Sequence, residues 1–245
     1  ALVVFPIDAS SEFTGKTVAD INALSGASFR PVAISRDDKT IIPHSRDMFY
    51  EGDTVYIITN NEAAKTVMNY SGKTNVSIKN LMILGGSRIG VRIATELQDE
   101  LNVKLIEYNP DKAYKLAETL DRTLIINEDG RDIDAMTEEG ITSMDAFVAV
   151  TGRSETNILT AMLAKRMGVK KVIAEVENLN YINLAESMGI DTIVNKKLIT
   201  ASNIFRFTMS SDVQAIKYLT GSEAEVMEFI AKPNSPATRS RIKEM

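Results

Sequence analysis

Apolar residues in the second part of the chain are grouped in short runs that alternate with amphipathic segments. The runs span residues 81–84, 103–107, 123–126, 146–150, 171–176 and 192–194. Runs with so little polar alternation are typical of parallel strands buried on both faces, and the helical segments between such strands form right-handed crossovers. The pattern predicts an α/β fold over residues 80–198, with six strands in a Rossmann-like doubly wound parallel sheet.

Residues 1–72 show a different pattern, in which strand-like runs are separated by turn-forming residues. The runs span residues 2–7, 29–35 and 54–59, and apolar residues have helical spacing at 17–24 and 62–70. This pattern predicts a small α+β subdomain over residues 1–72. Residues 73–79 are mostly polar, and we expect them to form the linker to the parallel-sheet domain.

A third pattern follows the parallel-sheet domain. Residues 199–219 read as a helix with breaks, and we expect a crossover helical arm over residues 199–221. Its apolar side chains either pack within the chain or contact a second subunit. They are Ile204, Phe205, Phe207 and Met209.

The last part of the chain partly repeats its beginning. A shift of 224 positions aligns Phe229, Ser235, Thr238, Ile242, Glu244 and Met245 with Phe5, Ser11, Thr14, Val18, Asp20 and Ile21. Internal similarity of this kind indicates a repeated structural unit. We therefore expect residues 222–245 to be the truncated start of a second small subdomain.

Composition and charge exclude several classes of protein. The 245 residues are 44% hydrophobic and 25% charged, as in ordinary globular proteins. The net charge of −5 argues against a nucleic-acid partner. The absence of cysteine removes disulfides, thiolate metal sites and cysteine nucleophiles. No apolar stretch reaches the length of about 18 residues that a membrane-spanning helix needs, and no targeting signal is visible.

The strongest chemical signal is a glycine-rich turn at residues 85–90, which follows a buried strand and precedes a helix. Gly85 permits a tight turn, Gly90 permits close packing of the helix on the sheet, and free amides at the helix start favour a phosphate. Ser87 stands where the dinucleotide fingerprint has its middle glycine. Its side chain narrows the space for a pyrophosphate, although Gly86 lies beside it and a serine hydroxyl can donate a hydrogen bond.

Glu107 ends the second predicted strand, 22 residues after Gly85. An acidic residue at this point accepts hydrogen bonds from both ribose hydroxyls, and its charge repels a 2′-phosphate. We therefore predict a site for an unphosphorylated adenosine, the alternative being a glycine turn that only packs. The candidate residues are Gly85, Gly86, Ser87, Arg88, Ile89, Gly90, Glu107, Tyr108, Asn109, Lys112, Asp129, Thr151 and Gly152.

Catalytic groups are not evident in the sequence. His44 is the only histidine, and it lies in the small subdomain outside the predicted nucleotide fold. The sequence shows no histidine–carboxylate cluster, no nucleophile elbow and no poised acid or base. We predict no catalytic residues and no metal ligands.

Motifs along nearly the whole chain resemble one known family, the regulator-of-potassium-conductance (RCK/KTN) family, and in particular the TrkA-type subunits of Trk potassium-uptake systems. In the parallel-sheet domain the motifs lie at residues 85–90, 105–107, 128–132, 145–152, 155–157, 161–165 and 189–191. In the small subdomain they lie at residues 13–16, 32–34, 36, 52–53 and 62–63. The chain departs from the family pattern at Ser87 and Glu128, where the family usually has glycine.

The resemblance implies a cytoplasmic protein that is peripheral at the inner face of the cell membrane. It implies binding of NAD(H) in the first place, or of ATP/ADP, a potassium-translocating membrane subunit of the Trk/Ktr type as partner, and a homo-oligomer that is a dimer or larger. Residues 1–72 then correspond to the family's C-terminal subdomain, and residues 222–245 to the start of another.

By the same resemblance, each part of the nucleotide is assigned to residues of this chain. Gly85, Gly86, Arg88 and Gly90 would hold phosphates. Glu107 would hold the ribose, and Asp129 the adenine region. Thr151 and Gly152 would form the floor of the cleft.

The sequence therefore leaves three functions open. The leading hypothesis is a non-catalytic, nucleotide-operated gating subunit of a potassium-uptake transporter. The alternatives are an NAD-dependent oxidoreductase on the same fold, and a scaffold without nucleotide whose small subdomain binds an ion or a cyclic nucleotide.

Overall fold

The structure, a computed structural model, describes residues 2–25, 28–37, 39–72, 77–208, 213–218 and 225–239. The chain divides into two compact units. One contains the described residues of 1–75 and 198–245, and the other contains those of 76–197.

The N-terminal part of the first unit is a four-stranded antiparallel sheet with two helices. Its elements are β1 (Leu2–Pro6), α1 (Val18–Ser25), β2 (Phe29–Arg36), β3 (Lys39–Ile41), β4 (Thr54–Thr59) and α2 (Asn61–Tyr70). The strand order is β1-β4-β2-β3. The core contains Phe13, whose ring contacts those of Phe5 and Phe49 edge to face. The predicted α+β character of this subdomain is confirmed.

The second unit is a six-stranded sheet whose paired strands all run parallel. The strands are β5 (Asn80–Leu84), β6 (Asn102–Ile106), β7 (Thr123–Ile126), β8 (Ala146–Ala149), β9 (Lys171–Glu175) and β10 (Thr192–Val194). The helices are α3 (Arg88–Leu97), α4 (Pro110–Thr119), α5 (Ile133–Glu138), α6 (Ser154–Arg166) and α7 (Ile182–Ser187), with short 3-10 turns at Ile141–Ser143 and Leu179–Tyr181. The predicted doubly wound sheet is therefore confirmed.

Strand order in this sheet determines where a ligand could bind. The order is β10-β9-β8-β5-β6-β7, so the chain starts in the middle of the sheet and builds outwards first to one side and then to the other. The apolar core contains Leu81 and Ile83 of β5, which are buried together with Leu105 of β6 and Val148 of β8. The carboxyl ends of β5, β6 and β8 consequently meet at the topological switch point, where such sheets bind ligands.

Residues after the sheet do not form the continuous helical arm that the sequence predicts. Helix α8 (Lys196–Thr208) is followed by β11 (Val213–Tyr218), which pairs antiparallel with β12 (Glu225–Phe229), and α9 (Pro236–Arg239) comes after it. The prediction of helix as far as residue 219 is therefore wrong over Val213–Tyr218. The reason is the hairpin partner, because pairing with β12 satisfies the backbone groups of a segment whose apolar spacing alone permits a helix.

Some predictions fall on residues outside the described part of the chain. These are residues 73–76 of the linker, 209–212 and 219–221 of the arm, and residues 222–224 and 240–245 of the repeat, among them Met209, Ile242, Glu244 and Met245. The second small subdomain stays a prediction.

Within the first unit, Val226 of β12 packs beside Ala33 and Tyr56 of the antiparallel sheet. None of the described helices combines the length and apolarity needed to span a membrane.

Candidate functional site

A cleft of about 400 Å³ lies at the carboxyl end of the parallel sheet. Nine of the candidate residues line it: Gly85, Gly86, Ser87, Glu107, Tyr108, Lys112, Asp129, Thr151 and Gly152. Seven further lining residues were not among the candidates: Leu84, Ile106, Glu128, Gly130, Arg131, Arg153 and Thr156. The volume is in the range of small-molecule sites, which are about 300–1,000 Å³.

The glycine turn has the close backbone contacts that its sequence predicts. Gly85 has φ +107°, in the region that favours glycine, and its N–H donates to the Ile106 carbonyl at 2.9 Å. A Cβ atom on Gly90 would lie 2.0 Å from the Gly85 carbonyl oxygen. The turn and the first turn of α3 are therefore packed too closely for a side chain at Gly90.

Ser87 caps helix α3 in this structure. Its Oγ accepts a hydrogen bond from the Gly90 N–H at 3.2 Å, so one amide at the helix start already has a partner. The helix begins at Arg88, which is exposed. Serine at this position thus places a capping oxygen where a glycine would leave open space. Its own hydroxyl hydrogen remains available to donate into the cleft.

Four candidate residues do not line the cleft, and each has a local reason. Arg88 and Ile89 are the first residues of α3, Gly90 packs against the turn, and Asn109 caps helix α4 by accepting from the Lys112 N–H at 3.0 Å. None of these four residues lines the cleft, so their contact with a phosphate or cofactor stays a prediction.

Glu107 is the most constrained charged group of the cleft, with only 9% of its surface exposed. Its Oε2 accepts from the Gly86 N–H at 3.0 Å and from Lys112 Nζ at 2.9 Å, and its Oε1 accepts from the Asn109 N–H at 2.9 Å. Burial opposes ionisation of this carboxyl, but hydrogen bonds from Asn109 and Lys112 outweigh burial and lower its pKa. Glu107 is therefore a carboxylate at neutral pH.

Two basic residues that sequence reasoning missed also line the cleft. Arg131 binds Asp129 through two parallel hydrogen bonds, Nε to Oδ1 at 2.9 Å and Nη2 to Oδ2 at 2.6 Å, and this contact lowers the pKa of Asp129. Arg153 is exposed, and among the described residues its guanidinium has no ion-pair partner. Both arginines follow ends of parallel strands, so the rule that identified Asp129 and Thr151 also applied to them.

The loop after β8 is held by one buried residue that was not a candidate. Asn157 of α6 is 1% exposed, and its Oδ1 accepts from both the Thr151 N–H at 2.9 Å and the Thr151 hydroxyl at 2.6 Å. The position of Thr151 and Gly152 in the cleft therefore depends on a side chain outside it. Sequence spacing gave no signal for this contact beyond a polar residue beside the apolar Ile158, Ala161 and Ala164 of α6.

The cleft contains groups suited to binding a polar ligand. It combines a buried carboxylate, the start of a helix and two arginines, groups that recognise a ligand with hydroxyls and negative charge. No group of three or more potential metal-binding side chains is present in the part of the chain that the structure describes. His44 belongs to the other unit and is largely exposed.

The sheet order, the glycine turn after the first strand and the cleft at the switch point define a Rossmann-like domain. Comparison with protein-family models gives a more specific assignment than the fold does. A TrkA-N domain matches residues 81–196, and a TrkA-C domain matches residues 2–72. The chain belongs to the family of TrkA potassium-uptake proteins.

Curated relatives carry the same family name. The chain is 31% identical over 236 residues to the Trk system potassium uptake protein TrkA homolog 2 of Methanosarcina mazei, covering 96% of this chain and 52% of the relative. It is 33% identical over 202 residues to the Trk system potassium uptake protein TrkA of Vibrio alginolyticus, covering 82% of this chain and 44% of the relative. The chain thus spans about half the length of these relatives.

Solved structures show the same fold at low sequence identity. The crystal structure of the GsuK RCK domain matches with a TM-score of 0.56 at 15% identity, covering 88% of this chain and 48% of that one. The GsuK channel bound to NAD matches with a TM-score of 0.56 at 14% identity, covering 84% and 36%. At these identities the likeness concerns the fold.

Proposed function

We propose that this chain is part of a nucleotide-binding regulatory subunit of a potassium-uptake system, and that it binds its nucleotide without converting it. The observation that carries the proposal is the ionised Glu107 beside the glycine turn, in a cleft at the switch point of the sheet. The names of the curated relatives support the transport role, and the GsuK channel of the same fold is described as bound to NAD.

The residues of the cleft fit an adenine nucleotide, with NAD(H) as the first candidate and ATP/ADP as the second. Glu107 uses three hydrogen bonds, which leaves acceptor capacity on a carboxylate of about four lone-pair sites for a ribose hydroxyl. Displacement of the Lys112 ammonium would free a second acceptor. The start of α3 favours phosphate through its dipole, and Arg131 and Arg153 also line the cleft.

The same carboxylate sets the preferred nucleotide class. Glu107 is negative and mostly buried, so a phosphate on the adenosine 2′ oxygen would be placed against a like charge that water screens poorly. We infer that NAD(H) binds in preference to its 2′-phosphorylated form.

Regulation follows when the ligand binds two arrangements of the subunit with different affinity. A tenfold difference in affinity shifts the equilibrium by about 1.4 kcal/mol per site, so several coupled sites give a sharper response. We propose a homo-oligomer for this reason, with exposed Ile204 and Phe205 of α8 as candidate contacts to a second copy. The proposed location is the cytoplasmic face of the cell membrane, against a potassium-translocating subunit of the Trk/Ktr type.

Titration calorimetry with NAD, NADH, ATP and ADP tests the binding proposal. Wild-type protein should bind at least one of the four, and Glu107→Ala should lower the affinity tenfold or more. Glu118→Ala, which removes an exposed carboxylate from helix α4 of the same unit, is the matched control and should bind like wild type. Absence of binding by wild type would overturn the proposal.

Two further measurements separate this function from its rivals. Loss of NADH absorbance with added carbonyl substrates, well above background, would favour an oxidoreductase. Co-purification of the full-length protein with the potassium-translocating membrane subunit, with and without nucleotide, tests the partner. Failure to co-purify under both conditions would remove the transport role.

A further inference from the structure

The loop that closes the cleft after β8 is tied to the next strand of the sheet through one side chain. Asn157 accepts two hydrogen bonds from Thr151 through Oδ1, and its Nδ2 donates to the Thr151 carbonyl at 3.1 Å and to the Glu175 carbonyl at 2.8 Å. Because Asn157 is 1% exposed, water cannot replace these partners when the loop moves. A displacement of Thr151 is therefore carried to the end of β9.

The end of β9 is in turn tied to the start of helix α8. The Glu175 side chain is 3% exposed, and its Oε1 contacts Lys196 Nζ at 2.6 Å. Lys196 also contacts Glu177 Oε1 at 2.9 Å, and the Glu177 N–H donates to the Ser154 hydroxyl at 2.9 Å. Two series of contacts thus connect the β8–α6 region to Lys196, one through Glu175 and one through Glu177.

Lys196 is the first residue of helix α8, the element through which the chain leaves the parallel-sheet unit. We propose that Asn157, Glu175 and Lys196 are positioning residues that transmit occupancy of the cleft at Thr151 to the start of α8. This inference rests on the proposed nucleotide binding. It adds a route by which a bound nucleotide changes a segment outside the cleft.

The burial of Asn157 and of the Glu175 carboxylate explains why movement is passed on rather than absorbed. A buried carboxylate that loses its cation is costly, so Glu175 and Lys196 move together. The same argument holds for the Asn157 amide, which is 1% exposed. Exposed ion pairs of the same unit lack this property, because water replaces a lost partner at little cost.

Hydrogen exchange of α8 in the full chain, with and without saturating NADH or ATP, tests the route. In wild type, nucleotide should change the exchange of the α8 amides at least fivefold. The double variant Glu175→Met/Lys196→Met removes the contacts of Lys196 with both Glu175 and Glu177, and it leaves no buried unpaired charge. It should bind nucleotide with a Kd within about threefold of wild type while the change at α8 disappears.

Lys165→Met is the matched control. It removes a lysine from an ion pair of similar length, 2.8 Å to Asp191, in the same unit and away from the cleft, so the α8 response should remain. If the double variant does not fold, Glu175→Gln keeps the side-chain volume and removes the charge, and it should weaken the α8 response with unchanged Kd.

The outcomes distinguish this proposal from the one on which it depends. Calorimetry that shows no nucleotide binding by wild type overturns the proposed function and the route together. Binding by wild type without any change at α8, or a full α8 response in a folded variant that lacks the Glu175–Lys196 contact, overturns the route and leaves nucleotide binding intact.

Discussion

Replacement of Gly90 by alanine places a methyl carbon in space that the backbone of the glycine turn already occupies. The new Cβ would lie 2.0 Å from the Gly85 carbonyl oxygen and 3.3 Å from Val150 Cγ2. Non-bonded carbon contacts are best at about 3.5–4.0 Å, so either the turn or the start of α3 must move by more than about 1 Å. Gly85 cannot yield easily, because its N–H is bound to Ile106 at 2.9 Å and its φ is +107°.

The expected cost has two parts. Overpacking of a close contact costs about 1–3 kcal/mol, and loss of the Ser87 cap on the displaced helix costs about 1 kcal/mol more. We therefore expect Gly90→Ala to lower the free energy of unfolding by about 3 kcal/mol, which corresponds to a fall of about 10 °C in the melting temperature of a unit of this size. Nucleotide affinity should fall at least tenfold, because the helix start moves away from the cleft.

Urea unfolding followed by circular dichroism measures the first effect, and calorimetry measures the second. Gly152→Ala is the control for stability, since a Cβ at Gly152 meets no atom within 4 Å and its φ is outside the left-handed region. It should change stability by less than about 0.5 kcal/mol. If Gly90→Ala unfolded at the same urea concentration as wild type, the packing argument for the turn would be refuted.

Three further predictions concern other parts of the described chain. Asn157→Ala removes four hydrogen bonds at a buried position; urea unfolding should show a loss of about 3 kcal/mol, and an unchanged midpoint would contradict the role of this amide. Lys170 and two backbone N–H groups lower the pKa of Asp145 from 3.8 to about 2, so its contribution to stability is present above pH 3.8 and is lost as the pH falls towards 2. Asp145→Asn should make the unfolding midpoint depend less on pH over that window. An unaltered dependence on pH would refute the assigned role of Asp145. Arg36→Met leaves the buried Asp53 carboxylate without its cation, so urea unfolding should show a loss of about 3 kcal/mol. The double variant with Asp53→Asn should recover part of it, and a double variant no more stable than Arg36→Met would contradict the pairing.

The glycine turn shows how far local sequence can be trusted. Gly85 and Gly90 have the roles that their spacing predicts, because a strand, a tight turn and a helix leave few alternatives over six residues. Ser87 illustrates the limit. The sequence predicts its hydroxyl as a hydrogen-bond donor, and the structure shows that its oxygen also accepts from Gly90 as a helix cap. Whether a side chain binds a ligand or its own backbone depends on geometry that composition does not contain.

The acidic residues of the cleft make the same point. Glu107 ends a predicted strand and Asp129 follows one, and both line the cleft. Their partners differ. Asp129 is bound by Arg131 of its own loop, whereas Glu107 accepts hydrogen bonds from Gly86, Asn109 and Lys112. Such pairing involves long side chains with several rotamers, so it is decided after the backbone is in place.

Sequence alone determined the parallel sheet, the small α+β subdomain and the position of the glycine turn, because burial on two faces and turn chemistry leave marks at short range. Tertiary structure alone decided that β11 pairs with β12 where a helix was predicted, that the Ser87 oxygen caps helix α3, and that Asn157 connects the cleft loop to β9. Each of these depends on which groups meet in the folded chain, and the pattern of one segment cannot specify the partner that satisfies it.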